Sequence, residues 1–220
     1  MNYFAHALPW LDRSPYLVAG TAVPDWLAVS DRSVRMRSKL VAPWIDSEDR
    51  QLAELARGML QHLADDALFH DNRAFVELNL ALIVQTRDFF GGERGFRPSL
   101  LGHLLVEVLL DAHLVEGHPA ELERYHAIID AVDPPTIQAA VNRMGRRPAE
   151  RLATFIGLFR RERILLDYPD DGRLLVRLNQ VMRRVRCEPL PDSFADLLPG
   201  MRRQVSARAG ELLAGIPAAI

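Results

Sequence analysis

Residues 98–116 read PSLLGHLLVEVLLDAHLVE, and this stretch decides the fold class. Leu100, Leu101, Leu104, Leu105, Val106, Val108, Leu109, Leu110, Leu114 and Val115 surround a helix projected through it. A helix apolar on nearly every side belongs in the middle of a bundle. Elsewhere apolar residues recur at three- and four-residue intervals, and the sustained alternation of a strand is hard to find. The expectation is therefore all-α: one domain over residues 1–220, about eight to ten helices around a central helix at 98–116. Residues 1–116 are expected to form its metal-binding core, and 117–220 to serve packing or dimerisation.

Working outward, helices are expected over 2–12, 15–30, 47–70, 73–90, 119–131, 135–144, 148–166, 171–186 and 193–214. Pro24 is expected to break the second. Gly91-Gly92, Gly117 with Pro119, Pro134-Pro135, Gly145 and Pro189 with Pro191 mark divisions. The stretch from Asp31 to Pro43, with Arg32, Arg35, Arg37 and Lys39, is basic and weakly periodic and reads as a mobile loop. The last helix presents Leu197, Met201, Val205 and Leu212 to the bundle or to a second subunit of a homodimer.

Composition narrows the function classes. The chain has 220 residues, enough for a sizeable core, with 49% hydrophobic and 25% charged residues, as in an ordinary globular protein. A formal charge of −2 supplies no global field selecting nucleic acid. The single Cys187 excludes an internal disulfide and a thiolate zinc site. Met1 to Trp10 lacks a basic region followed by a long apolar stretch, and no segment approaches ~18 continuous apolar residues, so a cytoplasmic location without a membrane span is expected.

Inside this apolar pattern sit two polar columns. His62, Asp66 and His70 lie four residues apart in one predicted helix, and His103, Glu107 and Asp111 in another. Residues at this spacing share a face. Projection of 50–71 places Leu52, Leu55, Met59 and Leu63 on one arc with His62, Asp66 and His70, and Arg50, Glu54, Arg57 and Gln61 opposite. Asp65 falls nearer the polar side. A carboxylate buried without a partner costs several kcal/mol, so each column requires a cation, an arginine or several donors. His6 and the Pro24-Asp25 pair add another imidazole and carboxylate in mainly hydrophobic surroundings. One i,i+4 pair is as well explained by a salt bridge; both columns together favour a shared metal. His113, His118 and His126 fall off the stripe or beside turns and read as solvated, and Arg183-Arg184 and Arg202-Arg203 as exposed helix faces.

The opening Met1-Asn2-Tyr3-Phe4-Ala5-His6, the run Gly20-Thr21-Ala22-Val23-Pro24-Asp25, HxxxD at His62 and Asp66 within Gly58 to Phe69, and HxxxE at His103 and Glu107 resemble the zinc-dependent phospholipase C family. They are similar also to the acyl-carrier-protein phosphodiesterases, which open with Met-Asn, an aromatic residue and Ala-His and carry HxxxD midway. His70-Asp71 is similar to the signature of the HD-domain phosphohydrolases. The resemblance covers about residues 1–116 and implies an all-α metallohydrolase that splits phosphoester bonds. It places His6, Asp25, His62, Asp66, His103 and Glu107 on the metal-ligand pattern.

The expected activity is metal-dependent hydrolysis of a phosphodiester or phosphomonoester, with one or two divalent ions, zinc first and manganese or iron as alternatives. His70 and Asp111 would complete or orient the ligand set. Asp66 and Asp111 are the catalytic candidates, and Asp111 or Asp65 would accept a proton from water. The arginines of 32–37 would steer an anionic substrate: a small molecule, a lipid head group or an acyl carrier protein. The alternative is a non-catalytic helical protein with a closed structural metal site or a buried His/carboxylate network. A di-iron oxidase is disfavoured because the order Glu-x-x-His is missing from both columns.

Overall fold

The computed structural model describes residues 1–91 and 96–216. Among these the α-helices are α1 (Tyr3–Ala7), α2 (Pro15–Ser30), α3 (Ser38–Val41), α4 (Arg50–Asp71), α5 (Arg73–Phe90), α6 (Pro98–Gly117), α7 (Pro119–Ala131), α8 (Pro134–Met144), α9 (Leu152–Glu162), α10 (Asp171–Arg184), α11 (Leu198–Ala207) and α12 (Ala209–Leu212). Short 3₁₀ segments cover Leu8–Trp10, Ala42–Trp44, Ile164–Asp167 and Asp192–Leu197, and no strand occurs among the described residues. The all-helical class read from the sequence is present.

Helix ends follow local chemistry. Asp49 receives the Leu52 N–H at 3.2 Å at the start of α4, and Asn72, Asp133 and Asp170 cap α5, α8 and α10. Gly91 closes α5 at φ 56°, in the left-handed region that suits glycine. Several expected helices divide where the backbone changes hand or loses a donor. Arg163, at φ 45°, ends α9 and separates it from the 3₁₀ turn that follows. Pro199 has no N–H and starts α11 afresh after Asp192–Leu197. Pro9 likewise marks the change from α1 to a 3₁₀ turn. Pro24 does not break α2: the helix runs through it to Ser30, without an N–H for the Gly20 carbonyl.

The chain divides into two compact units. The first comprises Met1–Ala67 and His118–Arg163, so its helices are α1 to α3, most of α4, and α7 to α9. There α1 packs on α2 and α7, α2 on α7 and α9, and α8 on α9. Phe4 meets Tyr125 edge-on at 6.0 Å, and Phe159 lies 4.8 Å from Tyr3 and 5.5 Å from Trp26. The stretch expected to be a mobile loop contains α3, with Val34, Met36 and Val41 buried. Two glycines set the closest helix approach. A Cβ on Gly58 would lie 2.1 Å from the Leu17 carbonyl oxygen, and one on Gly20 would lie 2.6 Å from that of Leu55. Helices α2 and α4 therefore touch backbone to backbone, a separation that only residues without a side chain permit.

The second unit comprises Leu68–Gly117 and Ile164–Ile216. Its axis is α6, with Leu101, Leu105, Val106, Leu109 and Leu110 buried, packed on α5 and α11. Length and mean hydropathy alone would let α6 cross a membrane, although 61% of that apolar window is buried within the protein. Phe90 and Phe194 stack at 6.0 Å. Asn179 exchanges two hydrogen bonds with the Leu190 backbone. Arg202 is not an exposed helix face as expected: it is half-buried, pairs with Asp171 and donates to the Tyr168 carbonyl.

His126 also departs from the solvated reading. It is half-buried, and burial followed by the nearby Arg163 charge pushes its imidazole down to about 4. The folded form thus refuses a proton that the unfolded chain takes up near pH 6.5.

Two outcomes are expected. Gly58→Ala should lower stability by about 3 kcal/mol or more, read as a fall in Tm of roughly 6–12 °C. Gly117→Ala, whose Cβ would meet nothing within 4 Å, should be nearly neutral. Stability of the wild type should decline as pH falls from about 6.5 to about 4, and His126→Gln should flatten that slope in urea titrations. An unchanged slope would place the titrating group elsewhere.

Candidate metal centre

The first unit gathers His6, Asp25 and His62 so that one ligand atom from each lies within 4.8 Å of the others. His6 comes from α1, Asp25 from α2 and His62 from α4. The imidazoles of His6 and His62 are buried and stack with ring centroids 3.9 Å apart.

Each ring is held by its Nδ1. His62 Nδ1 lies 2.7 Å from the Thr21 carbonyl oxygen; a carbonyl only accepts, so Nδ1 carries the proton and donates. His6 Nδ1 donates to Asp65 Oδ2 at 3.3 Å, and Gln61 Nε2 holds the other Asp65 oxygen at 2.6 Å. Both Nε2 atoms then face the carboxylates. His62 Nε2 is 3.4 Å from Asp66 Oδ2 and 4.0 Å from Asp25 Oδ1. His6 Nε2 is 3.2 Å from Asp66 Oδ1, although that buried nitrogen makes no aligned hydrogen bond. The Met1 amine donates to Asp66 Oδ1 at 2.7 Å.

Electrostatics follow from this crowding. Burial pushes the Asp66 carboxyl up, yet the imidazoles of His6 and His62 and the Met1 amine outweigh it and hold it far below the carboxylate range. Burial lowers His62, but the Asp25 and Asp66 carboxylates and the Thr21 carbonyl prevail and raise it above the ordinary imidazole value. Asp25 and Asp66 retain 29% and 30% side-chain exposure, so the cluster opens to solvent through its carboxylates.

The second unit holds a separate group. His70 Nε2 and His103 Nε2 each lie 3.2 Å from Glu107 Oε1, and their rings are 4.8 Å apart, with Phe75 edge-on to both. These three can also converge on one ion. All are half-buried. Burial raises Glu107, while hydrogen bonds from His103 and His70 help to bring it well below the usual carboxylate range.

The expected columns are thus regrouped. His62 and Asp66 join His6 and Asp25, whereas His70 joins His103 and Glu107. Asp111 is fully buried on α6 and belongs to neither ligand group. Asp65, placed nearer the polar side from sequence, is 1% exposed and points at His6. Its burial and its contact with His6 are what sequence reasoning missed. Its only advance signal is adjacency to Asp66 in an otherwise apolar turn. Its two oxygens are directed to His6 and Gln61, so its contacts are those of a residue that holds His6 in place.

The donor set fits a divalent cation. Imidazole nitrogens fixed through their far N–H, carboxylates between them and a buried Nε2 without an aligned partner are the features of nitrogen and oxygen ligation. No protein-family model, curated protein or solved structure matches the chain.

Asp65→Asn should weaken uptake of zinc by about 10–100-fold, measured by competition with a chromophoric chelator. Equal affinity in the variant would show that Asp65 does not orient His6.

Proposed function

We propose that the chain is a metal-dependent phosphoester hydrolase whose centre is built from His6, Asp25, His62 and Asp66. The observation that carries this reading is the orientation of two buried imidazoles, each tethered at Nδ1 by a protein oxygen and aimed through Nε2 at the Asp66 carboxylate. A hydrogen-bonded core histidine needs no second imidazole stacked on it with the same nitrogen facing the same carboxylate.

A divalent cation held there supplies Lewis acidity, acidifying water and offsetting charge on phosphoryl oxygens. The chain's own residues do the rest. Thr21 and Asp65 fix the ring planes, so the ligand nitrogens are placed in advance of any ion. Asp66 remains ionised throughout the neutral range and acts as a ligand rather than a base. Asp25, partly exposed and 4.0 Å from His62 Nε2, would hold the ion through one oxygen and orient a water bound beside it through the other. His70, His103 and Glu107 form a second ligand group, so the count of ions is one or two. Zinc suits the imidazole-rich set best, with manganese or iron also compatible.

The reading of a phospholipase C-like or acyl-carrier-protein phosphodiesterase-like hydrolase rests on the order of His6, Asp25, HxxxD and HxxxE in the sequence, residues that fall into two clusters able to hold a metal. The substrate would be an anionic phosphoester, from a small molecule, a lipid head group or a carrier protein. A second reading draws on the Met1–Asp66 and His–carboxylate contacts, which can stand as an ion-pair network without metal. The exposure of Asp25 and Asp66 favours the open, hydrolytic centre over a closed structural one.

Protein purified without chelator should contain near-stoichiometric zinc, manganese or iron and hydrolyse bis-p-nitrophenyl phosphate. Asp66→Ala should lose the metal and more than about a hundredfold in turnover. Wild type that neither contains nor takes up metal would leave the ion-pair network as the correct description; metal without turnover on any phosphoester would indicate a structural site.

A further inference from the structure

A second feature of the first unit has no role in the proposed centre. Arg35, Arg37 and Lys39, from the segment before and within α3, line a cavity of about 220 Å³ together with Arg146 and Arg147 from the turn after α8. Ser33 adds a hydroxyl, and no carboxylate lines it. Among the described residues none of the five cations forms an ion pair or a side-chain hydrogen bond. The five are solvent-exposed, whereas the half-buried Arg160, Arg177 and Arg202 all have oxygen partners. Five like charges brought together on a chain of net charge −2 repel one another. The fold holds them there without internal compensation.

The framework is built rather than incidental. Residues 34–37 alternate, with Val34 and Met36 buried and Arg35 and Arg37 exposed, so the two guanidinium groups emerge on one side. Asp31 fastens the segment to the start of α9, accepting the Arg151 backbone N–H at 3.2 Å and lying 3.7 Å from Arg151 Nε. Its own carbonyl receives the Val34 N–H at 2.7 Å. On the far wall Gly145 lets the chain turn closely: a Cβ there would lie 2.9 Å from the Val141 carbonyl and 3.3 Å from that of Arg147.

We infer that this cavity is a binding site for a compact polyanion of the phosphate class, such as a diphosphate group. Guanidinium forks match phosphate oxygens bidentately, and four of the five cations are arginines. The volume falls below the ~300 Å³ at which pockets for drug-sized ligands begin, so it suits a small, highly charged group. An acidic protein surface would need a contact of about 1,000 Å² or more, and the cations converge on a concavity instead. The site stands independently of the metal centre, so its test is made on metal-free protein.

Isothermal titration of the metal-free full chain with sodium pyrophosphate at low ionic strength is the experiment. Saturable one-site binding is expected, weakened roughly tenfold or more by Arg37→Glu with Arg146→Glu. Arg161→Glu with Arg183→Glu, an equal change of charge at exposed positions outside the cavity, should leave it unaltered. Circular dichroism would confirm that both variants fold. The inference is overturned by non-saturable binding, by equal loss in both double variants, or by binding of a poly-glutamate peptide without binding of pyrophosphate.

Discussion

The contact on which the candidate centre depends is the crossing of α2 and α4 at Gly20 and Gly58. With the Gly58 Cα 3.0 Å from where a Gly20 Cβ would sit, the two backbones meet with no side chain between them. One residue beyond Gly20 is Thr21, whose carbonyl receives His62, and one helical turn beyond Gly58 is His62 itself. A hydrogen bond of 2.7 Å between a backbone carbonyl on one helix and an imidazole on another requires this separation. The same register brings Asp25, one turn past Thr21, to the same His62. Pro24, inside α2, leaves the Gly20 carbonyl without its usual donor at the crossing.

Charge then decides what the cluster can hold. Asp25, Asp65 and Asp66 surround two buried imidazoles, and neutral imidazoles leave three partly or fully buried carboxylates with little compensation. Compensation comes from protons on the rings, from the Met1 amine, or from a bound cation. The raised affinity of His62 for a proton and the lowered affinity of Asp66 both express this demand for positive charge. A divalent ion would satisfy it while leaving the rings neutral, the form in which Nε2 can ligate.

Much of the helical layout was legible because apolar spacing at three and four residues persists through tertiary context: α2, α5 and α7 occupy the ranges read from the sequence. The division at 163 was not, because a left-handed arginine carries no compositional signal. The ligand column on α4 was visible as spacing, but its regrouping was not, since that depends on which neighbouring helix meets each turn. Asp65 shows the limit most clearly. A single apolar arc defines one inward direction, whereas His6 from α1 reaches Asp65 and Asp66 together, with Asp65 Oδ2 at Nδ1 and Asp66 Oδ1 at Nε2. Two adjacent residues, about 100° apart on the helix, can both face a ring that stands between them.

The two ligand groups differ in a way that bears on how each would behave. In the first unit both imidazoles are buried and fixed at Nδ1 before any ion arrives, so little side-chain freedom is left to lose on ligation. In the second, two half-buried rings address a single Glu107 oxygen, and an ion entering between them must displace those hydrogen bonds and draw the side chains around itself. Pre-organisation favours affinity, and exposure favours exchange. If both groups take ions, the first has the geometry of a resident site and the second that of a position filled and vacated more readily, a difference set by Thr21 and Asp65 rather than by the ligands themselves.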